Sequence, residues 1–490
     1  MAGFFVENFG CRATQADGAA LERQFEERGL LRVSSPAQAS LVVLNTCTVT
    51  NGADQDARAA IRRVRRQNPG ARIIVTGCYA QRAPEEIAAL PGVSLVVGNS
   101  HKHQLAEIAL GAGVAASPAG SFVPLAQLAP ANRRPTTEAE GAATDDQGPI
   151  YVSDIFAHTE LLAAPVFDAA NERTRPNLKV QDGCDNRCSF CVIPFVRGQS
   201  RSLKMERILR EVNALVEAGY REVVISGINL GRWGRDLESS AGRPSVRVGT
   251  AALVRQGERS SPALLVHLIR AILAETTLEK LRISSVEPMD WSDELISLAA
   301  SSPRIAKHAH VPMQSGSDAV LRRMHRKYRP WHYREKIDKI RAAMPDAAIG
   351  ADVMVGFPGE TDAEFEATRR IVEELPFTYL HVFTYSARPG TPAADMTNQV
   401  PVHVARERNR ILRELAAEKK FAFMRGFLGR VVEAITLNVV GSDSGGEFTE
   451  ALTDNYLKVR LRGRHLPNRW QKACVRDVVS GSLLAASASM

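Results

Sequence analysis

No stretch of this chain approaches the roughly 20 continuous apolar residues that a helix needs to cross a bilayer, so membrane-spanning classes are set aside. The opening run MAGFFVENFGC has neither a basic leader nor a long apolar core, and a signal peptide is not expected; the default location is the cytosol. Cysteine is scarce, with seven among 490 residues. An odd count in a reducing compartment argues against disulfides and for metal binding or catalysis wherever cysteines cluster. What is present, 44% hydrophobic and 24% charged residues, fits a globular chain. The length exceeds one ordinary domain. The formal net charge of +8 favours a polyanionic partner, nucleic acid being the usual one.

Cysteine is concentrated where it does occur. Cys184, Cys188 and Cys191 sit in KVQDGCDNRCSFCVIPFVRG with C-x3-C-x2-C spacing. Three thiolates on one loop can hold three irons of a 4Fe-4S cluster and leave the fourth open to a chelating ligand. That opening suits S-adenosylmethionine, whose amino and carboxylate groups would bind the free iron; one electron then cleaves the sulfonium and yields a 5′-deoxyadenosyl radical. The alternative is a structural zinc site, but the loop offers no fourth Cys or His. Phe190 would pack beside the adenine or in the core. The spacing resembles that of the radical S-adenosylmethionine superfamily.

Residues 1–112 read as alternating strands and helices of a small parallel α/β domain. Cys11, Cys47 and Cys78 each follow a predicted strand, where such folds place ligands. They would converge on one sheet edge as three more thiolates, or be three unrelated buried cysteines. Residues 113–149 are rich in Ala, Pro, Gly and Thr and read as linker or insertion, within a 113–172 connection. Over 173–425 six strand-then-helix units predict a full or partial parallel barrel, strands NLKVQ, EVVISG, KLRISS, HAHVPM, AAIGADVMVG and YLHVFTYS, with a Gly/Ser/Arg-rich loop insertion at 235–262 and a basic helix at 403–425. Residues 426–490 alternate in short β runs, a small antiparallel barrel. The fold class is therefore α/β multidomain. Cys474, in the last segment, is expected in its core.

At the strand ends of the central segment, Gly227 and Asn229 in SGINLG, Ser284 and Glu287 in RISSVEP, and Gln314 in HVPMQSGS are candidate contacts for the cofactor, with Glu287 suited to ribose hydroxyls. Glycine turns and loop polar groups are the plainer explanation of each. Arg58, Arg62, Arg63, Arg65 and Arg66, the stretch 322–334, and Arg460, Arg462, Arg464 and Arg469 beside Tyr456 and Trp470 form basic faces that are either solvated surface or a phosphate track.

The segments NTCTVTNGADQDARAAIRRVRRQNP, VTGCYAQRAPEE, RTRPNLKVQDGCDNRCSFCVIPFVRG, GADVMVGFPGET and GEFTEALTDNYLKV together resemble the radical S-adenosylmethionine methylthiotransferases. The resemblance implies a radical S-adenosylmethionine barrel, a C-terminal TRAM domain, and a second, auxiliary 4Fe-4S cluster on Cys11, Cys47 and Cys78 that presents the sulfur to be inserted. It implies as substrate tRNA bearing N6-threonylcarbamoyladenosine beside the anticodon, with C2 methylthiolation. Family alternatives act on isopentenylated adenosine or on an aspartate of a ribosomal protein. Implied partners are the tRNA anticodon region, a flavodoxin- or ferredoxin-like electron donor and a sulfur donor, with no membrane. An aromatic C–H has no useful acidity, so radical abstraction rather than an acid–base pair suits the step. Related chains carry Asn three residues after the first cysteine; Thr14 stands there in this one. A reading of another class is a non-catalytic RNA-binding protein with structural zinc.

Overall fold

The computed structural model describes residues 2–111, 149–158, 161, 175–240, 261–479 and 481–487. The expected linker 113–149 and most of the 235–262 insertion lie outside these residues. Two compact units emerge, and they do not follow the order of the segments. The first joins Met1–Ala164 to Asp182–Gln199 and Ser386–Asp395; the second takes Pro165–Gln181, Ser200–Tyr385 and Met396–Met490.

The first unit holds one parallel sheet of β1 (Gly3–Asn8), β2 (Leu31–Arg32), β3 (Leu41–Thr46), β4 (Arg72–Gly77), β5 (Val93–Gly98) and β6 (Ile150–Tyr151), in the order β2-β1-β3-β4-β5-β6. Strand β3 is buried at every position, as expected of a parallel sheet covered on both faces. Ala57, Ala60, Ile61 and Val64, spaced by three and four, turn the helix Asn51–Gln67 onto one face. Leu21 and Phe25 of helix Arg12–Glu26 close the other. Thr50 starts the former helix by accepting the Ala53 N–H at 3.2 Å.

In the second unit β7 (Asn177–Asp182), β8 (Arg201–Ser202), β9 (Glu222–Gly227) and β10 (Lys280–Ile283) are ordered β10-β9-β7-β8, with residue 182 itself counted in the first unit. A second sheet is ordered β11 (His308–His310), β12 (Ala348–Val355), β13 (Tyr379–Thr384). Parallel bridges Leu281↔Ile305 and Ser285↔His310 join the two, giving a partial barrel from all six expected strands. Helix Arg235–Ser240 occupies the start of the expected insertion, and helix Ser261–Glu275 begins at its end.

After the helix Val402–Arg425, β14 (Val431–Asp443), β15 (Gly446–Thr453), β16 (Lys458–Arg462), β17 (Trp470–Val479) and β18 (Ser482–Ser487) close as β14-β15-β16-β18-β17. Three sequence expectations are corrected here. Strand β15 was not anticipated, because Glu447 and Glu450 interrupt the apolar pattern although Phe448, Ala451 and Leu452 are buried. The barrel is not wholly antiparallel: β16 and β18 run parallel, since a closed ring with an odd number of strands cannot alternate direction all the way round. Cys474 is not core: Ala473 and Val475 fill the interior, and Cys474 faces outward beside the exposed Val431.

Tyr456 is placed by the turn between two barrel strands. It sits at φ +68° in the β15–β16 turn, its ring 4.9 Å from His308, 5.8 Å from Tyr379 and under the Arg282 guanidinium at 5.4 Å. The fully buried Arg282 donates to the carbonyls of Thr453 and Asp454 and to Glu222. This half-buried ring packs against other side chains of its own unit.

Leu44 is fully buried in the middle of the first sheet. Leu44→Ala should lower stability by about 2–5 kcal/mol, read as an earlier urea midpoint of the first unit; an unchanged midpoint contradicts the packing described.

Candidate metal centres

The first cysteine trio is assembled by neighbouring strands. β1, β3 and β4 lie side by side, and Cys11, Cys47 and Cys78 follow them at the same edge. Two glycines let these loops close. Gly10 has φ +98°, and a Cβ there would lie 2.6 Å from Cys47 Cβ and 2.9 Å from its Sγ. Gly77 has φ +100°, and a Cβ would lie 2.3 Å from the Thr46 carbonyl oxygen. Cys47 and Cys78 are buried and Cys11 is exposed. Burial, with Cys78 and then Cys11 as neighbouring negative groups, pushes the Cys47 thiol up to about 12. Burial resists a thiolate at Cys47, and bound iron would remove that resistance, so the donor set fits a metal cluster.

A buried charge network stands against the trio. Arg197, 2% exposed, bonds both Asp182 oxygens at 3.0 and 3.1 Å and Asp17 Oδ2 at 3.0 Å. Asp182 and then Cys78, Asp17 and Cys11 hold this guanidinium in its charged form against the opposing effect of burial. Lys102 reaches Asp17 at 3.1 Å and Asn45 at 3.2 Å. Thr14 is fully buried; its Oγ1 lies 3.5 Å from Cys11 Sγ and from Arg197 Nη2. Its carbonyl accepts from Asn45 at 2.8 Å. Asn99 spans 3.6 Å to Cys78 Sγ and 2.7 Å to the Val196 carbonyl. Sequence reasoning missed Arg197 and Asn99. Arg197 stood in the quoted motif, six residues past its last cysteine, at the end of the short helix Ile193–Arg197, but an arginine there carries no sign of burial in sequence.

The second trio is on the loop after β7, within the same unit. The loop folds back on itself: the Cys184 N–H donates to the Gly198 carbonyl at 3.1 Å, and a Cβ on Gly183 (φ +72°) would lie 1.9 Å from the Gln199 carbonyl oxygen. Cys191 N–H donates to Cys188 at 3.1 Å, and Asn186 N–H to Cys184 Sγ at 3.4 Å. All three thiols are half-buried, as is Phe190. Ser189 accepts from the Ala393 N–H at 2.8 Å, and Arg388 bonds buried Asp54 at 2.6 Å, which ties 386–395 into this unit. Asp54 also takes Arg82 at 2.9 Å and Thr48 at 2.6 Å.

The strand-end residues of the second unit are placed as follows. Gly227 closes β9 against Gln181, whose Oε1 a Cβ would approach to 2.8 Å; the same oxygen accepts the Asn229 N–H at 2.7 Å. The glycine thus serves a side chain of its own fold. Ser284 ends β10 with a buried Oγ that has no hydrogen-bond partner. Glu287 is ion-paired to Arg326. Gln314 takes φ +64° and bridges Val353, its N–H donating to the Asp352 carbonyl at 2.8 Å. Much of the basic stretch 322–334 is internally paired: Arg322 and Arg329 with Asp318, Arg323 with Glu364. Arg58 bonds Tyr79 and Glu86, and Arg63 bonds Glu7, while Arg62, Arg65 and Arg66 are exposed.

Residues 178–372 match the family described as Radical SAM superfamily, and residues 3–98 the one described as Uncharacterized protein family UPF0004. The chain is 35% identical to threonylcarbamoyladenosine tRNA methylthiotransferase MtaB of Bacillus subtilis, over 94% of this chain and 91% of that protein. It is 33% identical to the MtaB of Aquifex aeolicus, over 93% and 96%. The chain belongs to the radical S-adenosylmethionine methylthiotransferases. It is a transferase, and its superfamily implies S-adenosylmethionine and one 4Fe-4S cluster. A tRNA-2-methylthio-N(6)-dimethylallyladenosine synthase of Novosphingobium aromaticivorans is 34% identical over 88% of this chain and 86% of its own length. Among solved structures, the radical S-adenosylmethionine methyltransferase TsrM from Kitasatospora setae, with cobalamin and a [4Fe-4S] cluster bound, superposes with TM-score 0.51 at 16% identity, covering 80% of this chain and 77% of its own; that likeness concerns the fold alone. Among the described residues no helix is long and apolar enough to cross a membrane.

Two expectations follow from the trio. Cys47 holds its proton far into the alkaline range, so loading metal there must expel it. In a variant whose loop cysteines are all alanine, iron uptake should rise steeply with pH; uptake independent of pH refutes the arrangement. Arg197→Met leaves Asp17 and Asp182 buried with less compensation and should cost about 3–5 kcal/mol of stability, with iron content after reconstitution falling as well.

Proposed function

We propose that this transferase acts on tRNA, placing a methylthio group at C2 of N6-threonylcarbamoyladenosine beside the anticodon. The observation that carries this reading is the pair of three-thiol sites in one compact unit, in a chain whose likeness to two MtaB proteins runs through more than nine-tenths of its length. Cys184, Cys188 and Cys191 would hold the cluster that supplies an electron to S-adenosylmethionine, and Cys11, Cys47 and Cys78 the one that presents sulfur. The rest is done by the chain. Arg197 sets a permanent positive charge beside the auxiliary thiolates, and Thr14 and Asn99 offer hydrogen-bond groups to their sulfurs. Asn229, Ser284, Glu287 and Gln314 are assigned as contacts for S-adenosylmethionine, Ser284 with an unused hydroxyl to offer. Exposed Arg62, Arg65, Arg66, Arg464 and Arg469 are assigned to tRNA phosphates. Arg460 and Arg462 are less available because Asp443 pairs with both. The reaction belongs in the cytosol, with a flavodoxin- or ferredoxin-like protein as electron donor and a separate source of sulfur.

The synthase of dimethylallyladenosine tRNA at 34% identity supports a second reading, in which the adenosine carries an isoprenoid. Nucleoside mass spectrometry of tRNA from a strain lacking the protein separates the two. Loss of the methylthio-threonylcarbamoyl nucleoside with accumulation of its precursor supports the first; loss of the methylthio-isopentenyl nucleoside supports the second. Cys188→Ala should abolish 5′-deoxyadenosine formation and leave tRNA binding intact. Cys47→Ala should keep 5′-deoxyadenosine formation and yield no methylthio product. A zinc-loaded, colourless protein would overturn both readings.

A further inference from the structure

One face of the second sheet carries a metal-binding set remote in sequence from every cysteine. On parallel strands side chains alternate between faces, and the register pairs His310 with Gly350 and Asp352 with His381. His310, Asp352 and His381 therefore share one face on three adjacent strands. Their ligating atoms all lie within 4.8 Å of one another. His310 Nε2 is 3.4 Å from Asp352 Oδ1, and two ligands at about 2.1 Å from a tetrahedral ion stand about 3.4 Å apart.

The surroundings are built to hold these rings. His310 is only 9% exposed, and its Nε2 is buried without a hydrogen-bond partner, an arrangement that a bound cation would complete. Tyr379 fills the notch above Gly350, where a Cβ would lie 2.1 Å from its ring. Its ring stacks on His310 at 6.0 Å and meets His381 edge-on at 5.3 Å. The Tyr379 hydroxyl is fixed by a 2.7 Å hydrogen bond to His308 Nε2. Imidazole ligands held by such outer contacts keep their orientation before metal arrives.

We propose that His310, Asp352 and His381 form a site for one divalent first-row cation of the Mn2+, Fe2+ or Zn2+ class. Two imidazole nitrogens and one carboxylate suit these ions and leave coordination positions open for water or another oxygen donor. The site is separate from the cysteine trios in ligand chemistry: nitrogen and oxygen here, sulfur there. It does not depend on which nucleoside the enzyme modifies.

The test uses the full chain with its iron–sulfur clusters loaded and oxidised, and Mn2+ as probe, because this ion has little affinity for thiolates. Free Mn2+ is counted by its EPR signal during titration. The expected result is saturable binding of one Mn2+ per chain, weakened about tenfold or more in both Asp352→Asn and His381→Ala, and unchanged in His332→Ala on an outer helix. Asp352→Asn preserves shape and His381 is exposed, so a folding defect in one variant leaves the other readable. Absence of saturable binding, equal binding in both site variants, or equal weakening by His332→Ala overturns the proposal.

Discussion

Buried charge beside the strand-end thiols is the constraint on which the first unit rests. Three adjacent parallel strands end together, so their following residues must share a small volume. Burial there disfavours a thiolate at Cys47, whose thiol is pushed up to about 12. The fold answers with Arg197, a cation that cannot discharge, and then with Asp17, Asp182 and Lys102 around it. An ion network so deeply buried is poor evidence for stability, because desolvation consumes most of its attraction. Its presence makes better sense as compensation for negative charge on the neighbouring thiols than as glue.

That network also explains why a loop distant in sequence belongs to this unit. Arg197 comes from the segment carrying the second trio, and its partner Asp17 from the helix after Cys11. Asn99 adds a second tie, from the end of β5 to the Val196 carbonyl. The segment 386–395 is fastened in the same way, by Arg388 on Asp54 and by the Ala393 N–H on Ser189. Buried ion pairs are strongly directional about their partners, since an unmatched member is far costlier than a lost surface contact. They therefore select one arrangement of these segments.

Much of this was legible beforehand, for reasons that differ by element. The strands LVVLNTC and ARIIVTGC announce themselves because a sheet covered on both faces needs continuous apolar runs, and the cysteines closing them give the edge away. The loop trio is legible from spacing alone, because one short segment must supply all its ligands. Strand β15 was hidden by its outward glutamates, and the parallel closure of β16 on β18 is a property of the whole ring that no single segment displays. Arg197 and Arg388 were hidden for a simpler reason. A charged residue in a loop reads as solvated surface, and only tertiary structure reveals the carboxylate that receives it.

Tyr456 carries the same lesson into the C-terminal barrel. Its neighbours in sequence are arginines and a tryptophan, which suggested a platform for bases. The left-handed backbone at φ +68° instead turns the ring against His308, Tyr379 and Arg282. Those contacts leave the ring half-buried. Charge is unevenly available there: Asp443 pairs with Arg460 and Arg462, whereas Arg464 and Arg469 remain exposed. Affinity built from phosphate contacts falls steeply with salt, whereas affinity built from stacking falls less. Exposed Arg464 and Arg469 therefore suit the phosphate-track reading of that basic face better than paired Arg460 and Arg462 do.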